Sequence, residues 1–313
     1  MKISEELQRN LICPVTKHDL VNKSDYLENI KFSKIRYPII DGVPVLINDE
    51  NSLFSINNFK LKKNTTFKLS QITSEHTLRK LIPSIGKNIK AERNYSELVK
   101  QLSKNSRILI IGGSIKGDGI DVLYENNSFE IIESDVSFGP HTKIIFDAHD
   151  IPFKADTFDC VIVQAVLEHV LDPQRCVSEI HRVLKSSGII YAETPFIQQV
   201  HMGKYDFTRF TYLGHRRLFR KFEEINSGPC CGPGMALAWS YRHFLRSFTS
   251  NKIMIKVISL FANFTSFYLK YFDYYLIDKP GAYDAASGYF FMGKKSTLTL
   301  SDEELLNQYK GMG

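Results

Sequence analysis

The sequence predicts an α/β chain in which a small β-rich module precedes a doubly wound, seven-stranded sheet, itself interrupted by a helical insertion before its last strand. Three observations carry this. Short apolar runs alternate with helical spacing from about Arg107 to Lys294, the pattern of a parallel sheet wrapped by helices. The first of these runs, RILIIGG, ends in glycines, and the next two end at acidic residues, Asp135 and Asp147. A break from Asn51 to about Lys87, rich in Asn, Lys, Ser and Thr, separates this stretch from the first fifty residues.

Each element has its own signal. Within 1–50, LICPVTKHDLV reads as strand, turn and strand, and IRYPIIDGVPVLIND as two apolar strands about an Asp41-Gly42 turn. Residues 51–88 read as a linker. NIKAERNYSELVKQLSK has helical spacing, with Tyr95, Leu98 and Leu102 on one face. The main domain spans 89–296. In it RILIIGG, FEIIESDVS, HTKIIFDAHD and FDCVIVQAV are short apolar runs suited to strands covered on both faces. PQRCVSEIHRVLKSSG follows as a helix: Pro173 suits the first turn, Val177, Ile180 and Leu184 share a face, and Gly188 follows the end. IIYAETPF, FEEINSG and an antiparallel-looking GYFFMGKK complete seven strands, with 229–284 as the helical insertion and 297–313 as a tail.

The formal net charge of +6 is modest for 313 residues and its basic groups are dispersed, so nucleic acid is not indicated as a partner. The five cysteines, Cys13, Cys160, Cys176, Cys230 and Cys231, include no CxxC pair; no metal site is expected. Nothing at the amino terminus joins a basic stretch to an apolar run, which makes the cytoplasm the expected compartment. The apolar stretch from Val257 to Ile277 is interrupted by Lys270 and Asp273, and its longest uncharged part, Val257 to Leu269, falls short of the ~20 residues a bilayer span requires. Its Val257, Phe261, Phe264, Tyr268, Tyr271 and Tyr275 share a helical face. Such a stripe suits a core, an oligomer contact or, with Lys252, Lys256 and Lys270 beside it, peripheral contact of residues 252–277 with the inner face of a membrane.

In a doubly wound sheet, ligands bind beyond the carboxyl ends of the strands. Gly112 and Gly113 close the first strand, and Gly117 and Gly119 follow in a turn that lets backbone approach a ligand. Asp135 can accept hydrogen bonds from both ribose hydroxyls of an adenosine-containing ligand, S-adenosylmethionine and NAD alike. Asp147 can accept the exocyclic amine of adenine, with Ala148 and His149 offering backbone groups. After the fifth strand, Glu193, His201, Tyr205, Asp206, Arg209 and His215 make a polar cluster where a substrate should lie. His201 is the candidate general base, with Tyr205 and Asp206 beside it.

FDAHDIPF, FDCVIVQAVLEHVLDP and EIHRVLKSSGIIYAETP resemble the class I S-adenosylmethionine-dependent methyltransferases, in their type 11-like bacterial subgroup, over roughly Arg107 to Gly228. The resemblance implies a Rossmann-like sheet with S-adenosylmethionine as cofactor. It would place Gly112 and Gly113 under the cofactor, Asp135 at its ribose, Asp147 at its adenine and Gln164 near its methionine end, and it gives His169 a packing role. The glycine loop departs from the family, with Ile110 where an acidic residue is usual and Ser114 where the second glycine is. ETPFIQQVHMGKYDFTRFTYLGHRRLF is similar to a narrower bacterial group encountered beside surface-polysaccharide genes.

Residues Leu11 to Ile47, through LICPVTKHDL and YPIIDGVPVLI, resemble the small zinc-ribbon-like activator subunit of methyltransferases, except that Thr16 replaces its second cysteine; the fold without the metal is implied. The expected reaction moves a methyl group to an oxygen or nitrogen of a small molecule, glycan or lipid-linked acceptor. An NAD-binding Rossmann oxidoreductase and a non-catalytic S-adenosylmethionine-binding scaffold stay open as alternatives.

Overall fold

The computed structural model describes residues 1–63, 65–66 and 82–313, so the linker expected over 51–88 lies partly outside the described residues. The amino-terminal strands β1 (Leu20–Asn22), β2 (Tyr26–Asn29), β3 (Arg36–Ile40) and β4 (Val43–Pro44) form an antiparallel meander in that order. Asp41 and Gly42 join β3 to β4 with φ of 51° and 77°. Two positive φ values in a two-residue loop match the right-handed twist of the flanking strands, which is why Asp-Gly serves there. LICPVTKH forms no strand of its own before β1 and supplies isolated bridges instead, one of them Ile12 to Asp19. Part of the expected linker is ordered: Ile56–Lys60 is helical, capped by Ser55, with Phe59 buried.

The large sheet contains β5 (Arg107–Ile111), β6 (Glu130–Asp135), β7 (Ile144–Ile145), β8 (Phe158–Gln164), β9 (Leu184–Pro195), β10 (Phe222–Cys231) and β11 (Gly288–Lys295), in the order β10-β11-β9-β8-β5-β6-β7. β11 pairs antiparallel with both neighbours, while the strands from β9 to β7 are mutually parallel. Two strands differ from expectation in extent. β7 is two residues long because Asp147 turns the chain out of the sheet, its side chain capping the 3₁₀ turn Ala148–Asp150. The helix Pro173–Val183 stops five residues before Gly188, since Leu184 pairs with Phe158 and opens β9.

Side chains alternate across the sheet, and both faces are buried. Leu109, Ile111, Val161, Val163, Ile190 and Ala192 enter one core; Ile108, Ile110, Cys160, Ile162, Ile189 and Tyr191 enter the other. The amino-terminal residues Ile3, Leu7, Leu11, Cys13, Leu27, Tyr37 and Leu46 belong to the first of these cores. They reach it because the module joins the sheet at its β7 edge, through a parallel bridge of Val45 to Ile145 and an antiparallel bridge of Leu11 to Phe153. An edge that would otherwise present unpaired backbone groups is thereby covered. The insertion forms helices Pro233–Arg246, Lys252–Ser266, Leu269–Leu276 and Pro280–Ala285, and the tail contains a capped helix, Asp302–Leu306.

Candidate functional site

Two cavities open beyond the carboxyl ends of the parallel strands, on either side of Gly112. The first, of about 330 Å³, is lined by Ser114, Asp135, Phe146, Asp147, Ala148, His149, Val166, His169 and His201. Asn51, Leu53, Phe54 and Thr66, from the segment after the amino-terminal sheet, also line it. The second, of about 380 Å³, is lined by Lys87, Asn88, Gly112, Gly113, Lys116, Gly117, Asp118, Gln164 and Glu193. Gly112 has φ of 76°, and a Cβ on it would overlap the Val166 side chain, so only glycine lets the chain turn between the two spaces.

At the first cavity, Asp135 ends β6 and accepts a hydrogen bond from the Ser114 amide at 3.2 Å. Burial raises its pKa against that hydrogen bond. Asp147 is more committed: it accepts from Ser52 Oγ at 2.6 Å, from the His149 amide at 3.1 Å and contacts His149 Nδ1 at 2.5 Å. Burial works to raise its pKa too, but the bonds from His149 and Ser52 outweigh it and hold the carboxyl below its usual range. His149 Nε2 accepts from the Asp172 amide at 3.0 Å, which fixes the proton on Nδ1.

At the second cavity, Gln164 donates to Glu193 Oε2 at 2.9 Å and to the Asp118 carbonyl at 3.2 Å, and accepts from Tyr95 at 3.1 Å. Glu193 also accepts from Asn88 at 2.8 Å and Tyr191 at 2.5 Å, and burial raises its pKa. Glu193 thus faces the glycine loop rather than the polar residues that follow β9.

The expected cluster after β9 divides. His201 and His169 meet, Nε2 to Nε2, at 3.1 Å beside the fully buried Glu168. Burial pushes Glu168 up to about 8, and burial together with His201 pushes His169 down to about 4. Burial also lowers the pKa of His201, against the pull of Asp206. Asp206 pairs with Arg209 and accepts from the His201 amide at 2.9 Å, so it holds the 199–209 loop in shape. Tyr205 turns its ring against Phe54 and gives its carbonyl to His169 Nδ1 at 2.8 Å. His215 lies elsewhere, buried between Phe210 and Phe219. The polar residues missed in the sequence, Ser52, Lys87 and Asn88, fall in or at the end of the stretch read as linker, where nothing marks them as site residues.

Residues 119–192 match a family model described as a methyltransferase domain. The chain carries a methyltransferase domain. The seven-stranded sheet with one reversed strand is the fold that the sequence resemblance to class I methyltransferases implies. No curated protein matches the sequence. Among solved structures, the methyltransferase chain is similar to a complex containing the Haloferax volcanii Trm112 methyltransferase activator (16% identity, 67% of this chain, 91% of that chain, TM-score 0.43). It is also similar to the Burkholderia thailandensis 1,6-didemethyltoxoflavin N1-methyltransferase (10%, 83%, 95%, 0.42) and to the Streptomyces coelicolor geranyl diphosphate C-methyltransferase (12%, 65%, 75%, 0.41).

Proposed function

We propose that the methyltransferase binds S-adenosylmethionine across Gly112 and transfers its methyl group to an oxygen or nitrogen of a small molecule, glycan or lipid-linked sugar held at the His169 and His201 end of the first cavity. One observation carries the reading: a single cavity is lined by Asp135 and Asp147 together with His169 and His201. Asp135, with one buried carboxylate oxygen bound by the Ser114 amide, has acceptor capacity left for ribose hydroxyls. Ala148 and Val166 offer apolar walls for adenine. Beyond Gly112, the methionine end would meet Lys87 and Lys116 with its carboxylate and the Gln164 and Glu193 pair with its ammonium group. The buried Glu193 carboxylate, ringed by neutral donors, fits a cationic ligand. When bound, the cofactor supplies an electrophilic methyl group; the chain's part is to hold the acceptor in line and exclude water.

The test is binding followed by transfer. Asp135→Ala is expected to weaken S-adenosylmethionine by ~1.5–3 kcal/mol in calorimetry, the scale of hydrogen bonds to a charged group. Labelled cofactor incubated with fractionated extract should then mark a glycan, lipid or small polar fraction. Label entering only RNA or protein would overturn the acceptor class, and NAD binding in place of S-adenosylmethionine would overturn the cofactor site.

We also propose that the enzyme works in the cytoplasm, peripheral to the inner face of a membrane. The pattern that supports this is the stripe on the insertion helices. Its members Val257, Phe261, Phe264, Tyr268, Tyr271 and Tyr275 are each 49–71% exposed. No single helix among the described residues is long and apolar enough to cross a membrane, and the two stripe helices together are bent by 45°.

A further inference from the structure

Glu168, His169 and His201 bring a buried carboxyl and two imidazoles together with no hydrogen bond to the carboxyl. Glu168 follows β8 with no exposed side-chain surface, and both of its carboxylate oxygens lack a hydrogen-bond partner. A carboxylate so placed is costly unless a cation or a proton faces it. His169 donates Nδ1–H to the Tyr205 carbonyl, which leaves the lone pair on Nε2, 3.6 Å from Glu168 Oε1. His201 has Asp206 3.5 Å from its Nδ1, which favours a proton there as well, and its Nε2 lies 3.9 Å from Glu168 Oε1 and 3.1 Å from His169 Nε2. Two imidazole lone pairs and an unpaired carboxylate oxygen therefore converge on one point.

We propose that Glu168, His169 and His201 bind a first-row divalent transition-metal cation. The three atoms form a triangle of sides 3.1, 3.6 and 3.9 Å. The point equidistant from its corners lies about 2.1 Å from each, the ~2.0–2.2 Å that zinc takes from imidazole nitrogen and carboxylate oxygen. Two imidazoles and one carboxylate suit zinc, cobalt, iron or manganese rather than magnesium or calcium, which prefer all-oxygen sets. The outer contacts are those that orient metal ligands: the Tyr205 carbonyl behind His169 and the Asp206 carboxylate behind His201, the latter fixed by Arg209. The Phe207 amide, at 2.8 Å from the Glu168 carbonyl, ties this loop over the turn that carries Glu168 and His169. Both histidines line the first cavity, so the remaining coordination positions would be open on that side to water or to oxygen atoms of the acceptor. That last role rests on the acceptor site proposed above; the metal site itself does not.

Cobalt(II) is the probe, because its visible absorption reports coordination directly. Titrated into the full chain after chelator treatment and tag removal, it should bind one equivalent with d–d bands of a nitrogen and oxygen site, and zinc should displace it. Glu168→Gln and His201→Ala should each weaken binding by at least ~10-fold and change the spectrum. His201 sits at the accessible edge of the site, so His201→Ala tests the proposal even where the substitution at buried Glu168 disturbs folding, with circular dichroism melting as the control. Calorimetric S-adenosylmethionine binding should persist in the His201 variant. A parent protein that binds cofactor but gives no cobalt spectrum, or one whose spectrum both variants share, overturns the site and leaves a hydrogen bond between the two imidazoles as the account of their contact. A cobalt spectrum that stands while no polar acceptor is methylated would fault the acceptor reading alone.

Discussion

His215 shows what burial does to a single titratable side chain. It sits at 2% exposure among Phe210, Phe219 and Arg216, its Nε2 without a partner, and burial, with Arg216 adding to it, pushes its pKa down to about 3. The folded chain keeps the imidazole neutral, while the unfolded chain takes up a proton below about pH 6.5. The stability compatible with a neutral His215 is therefore complete above pH 6.5 and is lost as pH falls toward 3, at up to ~1.4 kcal/mol per pH unit for this one proton. His215→Leu should flatten the dependence of the urea midpoint on pH across that window. Equal slopes in parent and variant would show that the folded protein accepts the proton. A histidine in HRRLF gives no hint of this from sequence, which places it with the polar residues after the fifth strand and does not say that the fold will bury it. Asp135 and Asp147 were easier to place, since a strand's last residue must emerge at the ligand end of a parallel sheet. Their partners were not, because Ser52 and Ser114 reach them from other segments.

At the scale of elements, all seven strands of the sheet could be read from short runs in the sequence, and the reversed direction of β11 was expected from the resemblance to methyltransferases. The two-residue length of β7 and the early stop of the Pro173–Val183 helix could not, since both depend on tertiary pairing. The insertion shows the same division. Spacing identified the aromatic face, but only the fold reveals that the face is uncovered, because helices Lys252–Ser266 and Leu269–Leu276 pack on Pro233–Arg246 with their other sides. Asp273, their one acid, is buried and accepts from the Gly234 and Met235 amides at 2.7 and 2.9 Å, so exposed Lys252 and Lys256 dominate the charge there. An aromatic, basic surface should sediment with vesicles containing anionic lipid, less so in high salt, and Phe261→Ser with Tyr271→Ser should release it. A parent that stays in the supernatant, yet forms a dimer that the same pair of substitutions dissolves, would assign the face to self-association.

For the whole molecule, the question is whether the first fifty residues are a separate unit. Their spacing and the break after Asn51 suggested one, yet the module's Leu7, Leu11, Cys13, Tyr37 and Leu46 occupy the same buried cluster as Ile132, Phe146, Phe153 and Val161 of the sheet domain. Backbone bridges at Val45 and Leu11 extend the sheet into the module, and polar ties cross the same boundary from Asn48 to Asp150 at 2.9 Å and from Glu6 to Arg107 at 2.6 Å. A shared core cannot melt in two independent steps, because exposing one side removes the apolar cover of the other. The chain is therefore expected to show one calorimetric transition, shifted upward by S-adenosylmethionine as mass action requires. A fragment of 84–313 should fail to fold cooperatively, since it leaves the β7 edge and the rings of Phe146 and Phe153 uncovered. Two resolved transitions in the parent, or a fragment with the parent's near-ultraviolet circular dichroism, would instead make the module an appended domain whose removal the methyltransferase tolerates.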